Sequence, residues 1–282
     1  MKVFITGLNG FLARNLAGWL SERGYFVTGT TRTGKAPHPA LSWHLGDPIN
    51  KDAFDGIDVV IHAAHDFTPG AMMTNINGSL SLERVASDAG VKRQILISSL
   101  SARPDAVSEY GRTKFTEEEY FLGRDHTIVR PGTVLGKGGV FGKLAYMLQS
   151  FPLLPLLDGG RTHMTVIGIQ DFCRAMEKIL EISDAKQYNL YYEHQPTLGE
   201  LLRLLSSVLN LRTLFIPVPA VVLLFPLTVL RYLRIRTPVD VDNLRGYITG
   251  LAPFYHTNLS AILPRSHDLQ TVLAESWGKS SA

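Results

Sequence analysis

The sequence predicts an α/β fold in which a parallel β-sheet is covered by helices on both faces. Short runs rich in Val and Ile are predicted as buried strands over 3–5, 26–28, 59–62, 95–98 and 127–129. Between them, apolar residues recur at helical spacing over 11–23, 72–89 and 110–122. Strands that alternate with helices in this way pair in parallel through right-handed crossovers. We therefore expect a doubly wound sheet in the first part of the chain.

The composition is that of an ordinary globular protein, with 282 residues, 45% of them hydrophobic, 19% charged and a formal net charge of +3. This small basic excess, without a recognisable nucleic-acid motif, argues against nucleic acid as a partner. The single cysteine, Cys173, excludes an internal disulfide and a thiolate metal cluster, and we expect it to be buried. The chain starts with a predicted strand rather than an apolar leader, so the expected location is cytoplasmic.

The first predicted strand leads directly into a glycine-rich turn and a helix, which is the context of a dinucleotide phosphate loop. Gly7 allows the tight turn, Gly10 lets the backbone approach a pyrophosphate, and Ala13 keeps the helix close to the sheet. Free N–H groups at the helix start, together with the positive end of the helix dipole, favour the phosphates. The sequence therefore predicts a Rossmann-type, NAD(P)-binding domain. The residues predicted to bind the cofactor here are Gly7, Asn9, Gly10, Phe11 and Leu12.

The end of the second predicted strand indicates which dinucleotide binds. An acidic residue there would bind the ribose hydroxyls of NAD, but 27–32 contains no carboxylate. Arg32 instead offers a planar guanidinium suited to a 2′-phosphate, with Lys35 close enough in sequence to assist it. NADP is therefore the predicted cofactor, with NAD as the alternative.

The second half of the chain is less regular. Five glycines over 132–142 predict a loop, whereas 165–170 is predicted as a strand and Asp171 as the cap of the helix that follows. Thr197 and Glu200 have the spacing of a capping box. We expect three parts: a cofactor domain over 1–183, an excursion from it over 132–164, and a smaller substrate-binding lobe over 184–282.

Several further motifs occur in a fixed order over roughly 2–183. They read Leu-Gly-Asp at 45–47, Val-Val-Ile-His-Ala-Ala at 59–64, Asn-Ile-Asn-Gly at 75–78, Leu-Ile-Ser-Ser at 96–99, Tyr-Gly-Arg-Thr-Lys at 110–114 and Val-Arg-Pro-Gly at 129–132. Together with the phosphate loop, they resemble the extended short-chain dehydrogenase/reductases, and within them the NAD-dependent epimerase/dehydratase group of nucleotide-sugar enzymes. The segment after 183 matches this group only loosely.

The resemblance implies catalysis by Ser99, Tyr110 and Lys114, with Lys114 also holding the nicotinamide ribose. Tyr110 and Lys114 are four residues apart, so on a helix they share a face. A neighbouring ammonium favours the phenolate, which brings tyrosine, with a pKa of about 10, closer to useful acid–base strength. Ser99, at a strand end, can donate to the substrate oxygen as charge develops there, and Ser101 is the alternative. Asn75 is either a structural residue or part of a proton relay.

The resemblance assigns further residues to the cofactor. Asp47 would reach the adenine, Ala63 and Ala64 would flank the cofactor, and Pro131 and Thr133 would pass beside the nicotinamide. Each also has a plainer interpretation, as a turn residue before a proline, as strand-end packing, or as the exit from a strand.

Two features bear on the substrate. Relatives that bind nucleoside diphosphates usually carry an arginine seven residues before the equivalent of Asp171, where this chain has Met164. Arg161 is the alternative diphosphate partner, and it is equally compatible with a surface charge. The histidines show no metal-ligand spacing, so no metal is expected, and His65 is assigned to the polar lining of the substrate site.

The segment 214–230 is almost continuously apolar, but its three prolines oppose a clean transmembrane helix. The plainer interpretation is a strand, a turn and a buried helix. The alternative is peripheral membrane contact through 214–236, with the arginines at anionic headgroups. That alternative resembles the steroid dehydrogenase branch and the complex I accessory subunits, and would make the protein membrane-associated.

The leading hypothesis is an NADP-dependent oxidoreductase or epimerase that acts on a carbonyl or secondary alcohol of a small molecule, in the nucleotide-sugar class by resemblance. Reductase, epimerase and dehydratase share this acid/base core, so the sequence leaves them open. The alternatives are a non-catalytic nucleotide-binding subunit and a membrane-surface reductase of a sterol-like or complex I-like branch. By resemblance, the helix over 110–122 is also compatible with a homodimer.

Overall fold

The computed structural model describes residues 1–182, 186–219, 254–264 and 268–277. In those ranges the strands are β1 (Lys2–Ile5), β2 (Phe26–Thr31), β3 (Ala40–Ser42), β4 (Val59–His62), β5 (Arg93–Ile97), β6 (Thr127–Pro131), β7 (Thr133–Leu135), β8 (Leu153–Leu157), β9 (Val166–Gly168), β10 (Gln187–Leu190) and β11 (Leu214–Val218). The α-helices are α1 (Phe11–Ser21), α2 (Met72–Asp88), α3 (Glu109–Leu122), α4 (Gly139–Ser150), α5 (Ile169–Glu181), α6 (Leu198–Val208), α7 (Leu259–Ile262) and α8 (Leu269–Trp277). Two 3₁₀ turns lie at Lys51–Phe54 and Asp158–Gly160.

Seven strands form one sheet in the order β10-β6-β5-β4-β1-β2-β3, and every pair in it is parallel. From β1 the chain first builds outward to β2 and β3, and then returns to build β4, β5, β6 and β10 on the other side. This change of direction creates a crevice at the carboxyl ends of β1 and β4, where open α/β sheets bind their ligands. The predicted doubly wound fold is confirmed.

Alternate side chains of β1 pack on opposite faces of the sheet, as a strand requires. Val3 and Ile5 belong to a large cluster that contains α1 and α5 residues, whereas Phe4 packs in a second cluster with Leu82 of α2. Helices therefore cover both faces, and this explains why the inner strands read as continuous apolar runs. Cys173 of α5 is buried, as expected.

The glycine-rich stretch predicted to be a loop is instead partly regular. It contains β7 and the first turn of α4, which begins at Gly139. The glycines serve close packing, because a side chain at Gly138 would overlap the ring of Phe11 at the start of α1. The sequence pattern was misread because close approach and loop flexibility both favour glycine.

Asp171 is not the cap of α5, contrary to the prediction. The cap position is held by Gly168, and Asp171 lies inside the first turn. Its carboxylate accepts a hydrogen bond of 2.6 Å from the Tyr192 hydroxyl and pairs with Arg174 at 3.0 Å. The residue therefore ties α5 to the chain after β10. The predicted capping box of Thr197 at the start of α6 is confirmed.

Beyond the main sheet, β7 pairs with β9 and β8 pairs with β11, both in parallel. The largest hydrophobic cluster joins Ile5 of β1 to Leu205 of α6 and Trp277 of α8. The expected division at 183/184 stays a prediction.

The strand expected at the start of the apolar segment is present as β11, where Leu214 is 62% exposed. Residues 220–253 lie outside the described residues, and with them most of the predicted membrane contact over 214–236. Among the helices that the structure describes, none has the length and apolar character needed to cross a bilayer.

Candidate active site

The phosphate loop is tied to the carboxyl end of β4. The Thr6 hydroxyl accepts hydrogen bonds of 2.9 Å from the backbone N–H groups of both Ala63 and Ala64. Gly7 has a φ of +72°, and a Cβ on it would lie 3.1 Å from the Ala64 Cα. The Gly10 N–H bonds the Gly7 carbonyl at 2.7 Å. These contacts fix the backbone of the turn that leads into α1, and a side chain at Gly7 would disturb that turn.

The same loop is also tied to the end of β2. The Thr30 hydroxyl accepts from the Gly7 N–H at 3.2 Å, and the Asn9 amide donates to the Lys35 carbonyl at 3.0 Å. Asn9 thus holds the loop that carries the two basic residues. Arg32 is exposed at the strand end. Thr6 and Thr30 were not among the predicted site residues, although a hydroxyl beside a tight glycine turn is a signal for such positioning.

The serine that faces the tyrosine is Ser99. Ser108 caps α3 by accepting from the Gly111 N–H at 3.0 Å, and a Cβ at Gly111 would come 2.5 Å from the Ser101 carbonyl. The helix start is therefore pressed against the loop after β5. This places the Tyr110 phenol close enough to Ser99 for that hydroxyl to lower its pKa, and the Ser99 hydroxyl accepts from the Ser101 N–H at 3.1 Å.

The charge of Lys114 is balanced by a second buried group. Its Nζ lies 2.8 Å from a carboxylate oxygen of Glu117, and the side chains are 3% and 0% exposed. The other Glu117 oxygen accepts from the Ser79 hydroxyl at 2.8 Å. Burial lowers the pKa of Lys114, but the attraction of Glu117 and of Tyr110 outweighs it, so that pKa is raised. Lys114 is therefore a buried, charged ammonium.

The pKa of Tyr110 is raised, contrary to the expectation that Lys114 brings it toward neutrality. Burial is the largest cause, because it disfavours the phenolate. Lys114 and Ser99 lower the pKa, while Glu117 and Glu118 raise it. The expectation considered the lysine alone, and spacing along a helix does not show how deeply a phenol is buried.

A buried ion pair that sequence reasoning missed joins β6 to α3. Arg130 of β6 donates to both carboxylate oxygens of Glu118, at 2.8 and 2.6 Å, and the side chains are 3% and 2% exposed. The Ser98 hydroxyl donates to the same carboxylate. The Tyr255 ring lies 4.0 Å from the Arg130 guanidinium carbon, and its hydroxyl donates to the Ala102 carbonyl at 2.7 Å. A charged residue inside an otherwise apolar strand was the available signal.

Asn75 is used structurally. Its side-chain oxygen accepts from the Asp66 N–H at 2.7 Å, and its amide donates to the carbonyls of Asp66 and Ala71 at 2.9 and 3.0 Å. Of the two interpretations left open, the structural one fits these contacts. Asp47 is exposed and pairs with His44 at 3.4 Å, which suits a turn residue, and its proposed contact with adenine stays a prediction.

His65 lies against Tyr110, with ring centroids 4.9 Å apart and planes at 88°. Burial is the main cause that lowers the pKa of His65 to about 3, with Lys114 as a second cause, so the imidazole is neutral at physiological pH. Pro131 and Thr133 flank Gly132, where a Cβ would lie 2.7 Å from the Thr165 carbonyl. This side of the crevice is therefore tightly packed.

The residues proposed for a diphosphate are not brought to the tyrosine by any described contact. Arg161 is exposed at the end of the 3₁₀ turn Asp158–Gly160, and Met164 is buried in the hydrophobic core. A side chain at Gly159 would lie 3.6 Å from the Arg161 guanidinium, which places that group beside the turn. Among the described residues, no group of His, Cys, Asp or Glu side chains is suited to a metal ion.

Comparison with known proteins gives a consistent result. The profile of a family described as the NAD dependent epimerase/dehydratase family matches residues 3–191. Ceramide reductase of Caulobacter vibrioides is 29% identical over 66% of this chain and 65% of its own length. A UDP-2-acetamido-2,6-beta-L-arabino-hexul-4-ose reductase of Pseudomonas aeruginosa is 25% identical over 75% of this chain and 59% of its own length. The chain thus spans less than two thirds of either relative.

The fold recurs in solved structures. UDP-N-acetylglucosamine 4-epimerase from Methanobrevibacter ruminantium, crystallised with UDP-N-acetylmuramic acid, superposes with a TM-score of 0.73 over 98% of this chain and 96% of its own. The sequence identity is 17%, so this likeness is one of fold.

Proposed function

We propose a function for this chain from the fact that it belongs to the NAD dependent epimerase/dehydratase family. It acts on a carbonyl or secondary alcohol through Ser99, Tyr110 and Lys114, as an NAD(P)-dependent oxidoreductase or epimerase. The observation that carries the proposal is the packing of the start of α3 against the loop after β5, which places Tyr110 beside Ser99 at the carboxyl ends of the strands, where the phosphate loop also lies. Supporting the proposal, the family motifs come from separate strands and helices that the fold gathers at one crevice.

The residues at the phosphate loop fit a dinucleotide. A Cβ at Gly7 would lie 3.1 Å from the Ala64 Cα and one at Gly10 would lie 3.0 Å from the Gly7 carbonyl, so both positions suit glycine, and the amides of Phe11 and Leu12 begin the helix that would face a pyrophosphate. Ala63 and Ala64 would flank the bound cofactor, and Lys114 would hold the nicotinamide ribose. A bound NAD(P)H supplies the hydride for a reduction.

The chain's own part in that chemistry is proton transfer and charge stabilisation. Tyr110 donates its phenolic proton to the substrate oxygen, and Ser99 donates a hydrogen bond to the same oxygen. Lys114 stabilises the phenolate that is left behind. Because burial raises the pKa of Tyr110, the phenol is protonated at neutral pH and is ready to act as an acid. The protonated phenol is the form that carbonyl reduction requires.

The resemblance gives a nucleotide sugar as one candidate substrate, and the Pseudomonas aeruginosa relative is named for one. Arg161 and His65 are the residues proposed to bind it. The alternative of a non-catalytic subunit is less well supported, since the Ser99, Tyr110 and Lys114 arrangement is intact. Peripheral membrane contact over 214–236 and homodimer formation stay predictions.

The preference for NADP can be tested at Arg32. In the Arg32→Ala variant we expect NADPH binding to weaken roughly 10- to 100-fold, the size of a lost charge-assisted contact, while NADH binding changes little. Fluorescence titration of both cofactors measures this. Arg84→Ala, which removes an exposed arginine on α2, serves as the matched control. Tighter binding of NADH than of NADPH by the wild type would overturn the preference.

The balance between Glu117 and Lys114 can be tested through the pH profile. Reduction needs a protonated Tyr110, so the rate falls as pH rises through the pKa of that phenol. Glu117 raises this pKa and Lys114 lowers it. Glu117→Gln keeps an acceptor for Ser79 but removes the negative charge, so we expect the alkaline limb of kcat/KM to move about one unit to lower pH.

Glu119→Gln is the control for this shift, because Glu119 is an exposed carboxylate on the same helix. It should leave the profile where it is. An alkaline limb that does not move in Glu117→Gln would contradict the assigned role of the buried carboxylate.

A further inference from the structure

An aromatic ring stands exposed directly beside the proposed acid. Phe67 is 77% exposed, yet its ring lies 5.8 Å from that of Tyr110, with the two planes inclined by only 26°. His65 meets both rings edge-on, with centroids 4.7 Å from Phe67 and 4.9 Å from Tyr110. An isolated exposed phenylalanine needs no explanation, but this one forms a wall of the reaction site.

The loop that carries this ring is fixed on both sides. Ahead of Phe67, Asn75 bonds both backbone polar groups of Asp66. After it, the Gly70 and Met72 N–H groups each donate to the Glu109 carboxylate at 3.1 Å, one residue before Tyr110. The exposed position of the ring is therefore built by hydrogen bonds to α2 and α3.

Two further exposed apolar side chains belong to the loop between β5 and α3 or contact it. Val107, three residues before Tyr110, is 63% exposed. Phe254 is 56% exposed, and its ring lies 5.1 Å from the guanidinium carbon of Arg103 in the loop after β5. We call Phe67, Val107 and Phe254 the apolar rim. An apolar lining with a few placed polar groups is typical of sites for small organic ligands.

The polar group placed beside the rim is His65. Its Nδ1 is buried and has no hydrogen-bond partner among the described residues. A neutral imidazole there is a polar group beside the rim, but it does not carry the positive charge that would favour a diphosphate. The sequence also places Met164 where a diphosphate-binding arginine was expected, and that side chain is buried.

The inference that follows rests on the function proposed above. We propose that Phe67 determines substrate specificity and that the substrate carries an aromatic or conjugated apolar group next to its carbonyl. That group stacks on the exposed ring of Phe67 and extends along the apolar rim. The carbonyl oxygen reaches the hydroxyls of Tyr110 and Ser99. Hydride adds to the carbonyl carbon and the Tyr110 proton to the oxygen, so an aryl aldehyde or ketone gives an alcohol, with NAD(P)H oxidised.

The test compares an aryl carbonyl with a small aliphatic one, using benzaldehyde and acetaldehyde as probes and NADPH as the reductant. For Phe67→Ala we expect kcat/KM to fall at least tenfold for benzaldehyde and to stay within about twofold for acetaldehyde. Phe67→Tyr should retain the preference for benzaldehyde. Met73→Ala removes another exposed apolar side chain, 60% exposed on α2, and should change neither value.

A binding measurement gives a readout that does not depend on turnover. Benzaldehyde should bind to the complex with NADP⁺ at least tenfold more weakly in Phe67→Ala than in the wild type, while NADP⁺ binding itself is unchanged. Unchanged selectivity in Phe67→Ala, or a wild type that prefers a UDP-linked 4-keto sugar, would overturn this inference and leave the proposed function standing. A wild type that binds NADP⁺ but reduces no carbonyl would overturn both.

Discussion

Tyr110→Phe is expected to lower kcat by about 10²- to 10⁴-fold, the usual contribution of a positioned general acid, with cofactor binding within about twofold of the wild type. The change removes the phenolic hydroxyl and its proton and keeps the ring that packs against His65 and Phe67. The fold of the site should therefore survive. Steady-state oxidation of NADPH with a carbonyl substrate measures the loss, and fluorescence titration measures cofactor binding.

Tyr120→Phe is a matched control on the same helix. The Tyr120 hydroxyl donates to Glu83 at 2.9 Å, on the side of α3 that faces α2, so its removal should leave turnover unchanged. Turnover at the wild-type rate in Tyr110→Phe would refute the assignment of the acid. Equal losses in the two variants would show that the effect is structural.

The second large effect is expected at the buried ion pair, where Arg130→Met should lower the free energy of unfolding by about 3–5 kcal/mol. The substitution leaves the Glu118 carboxylate buried without its bidentate partner. Burial is already the main cause that raises the pKa of Glu118, so the folded variant would bind a proton more tightly than the unfolded chain does. The free energy of unfolding of the variant therefore falls as pH rises above the pKa of Glu118 in the unfolded chain. The loss relative to the wild type should be smaller in acid.

Chemical denaturation at neutral and acid pH measures this difference. Lys178→Met is the comparison, because the Lys178–Glu181 pair is about half exposed and such pairs contribute at most about 1 kcal/mol. Replacing both buried partners, as in Arg130→Met with Glu118→Leu, should recover much of the loss, since no unpaired charge remains. If Arg130→Met costs no more than Lys178→Met, the ion pair does not support the site in the way described.

The elements predicted from the sequence are those whose signals are local. The helices α1, α2 and α3 begin within one residue of their predicted starts, because apolar spacing and glycine positions depend only on residues that are close in sequence. The strands β3 and β10 were not predicted. They lie at the two edges of the sheet, where only one neighbouring strand covers them and the apolar pattern is weak.

The features of the candidate site also divide into those with local sequence signals and those that depend on tertiary contacts. The sequence by itself determined the phosphate loop, the helix face shared by Tyr110 and Lys114, and the missing acid at the end of β2, because each depends on residues a few positions apart. Only the tertiary structure decided that Ser99 is the serine facing the tyrosine and that Phe67 stands beside it. It also decided that burial, assisted by Glu117, outweighs Lys114 in setting the pKa of the phenol. Desolvation and long-range packing depend on segments that meet only after folding.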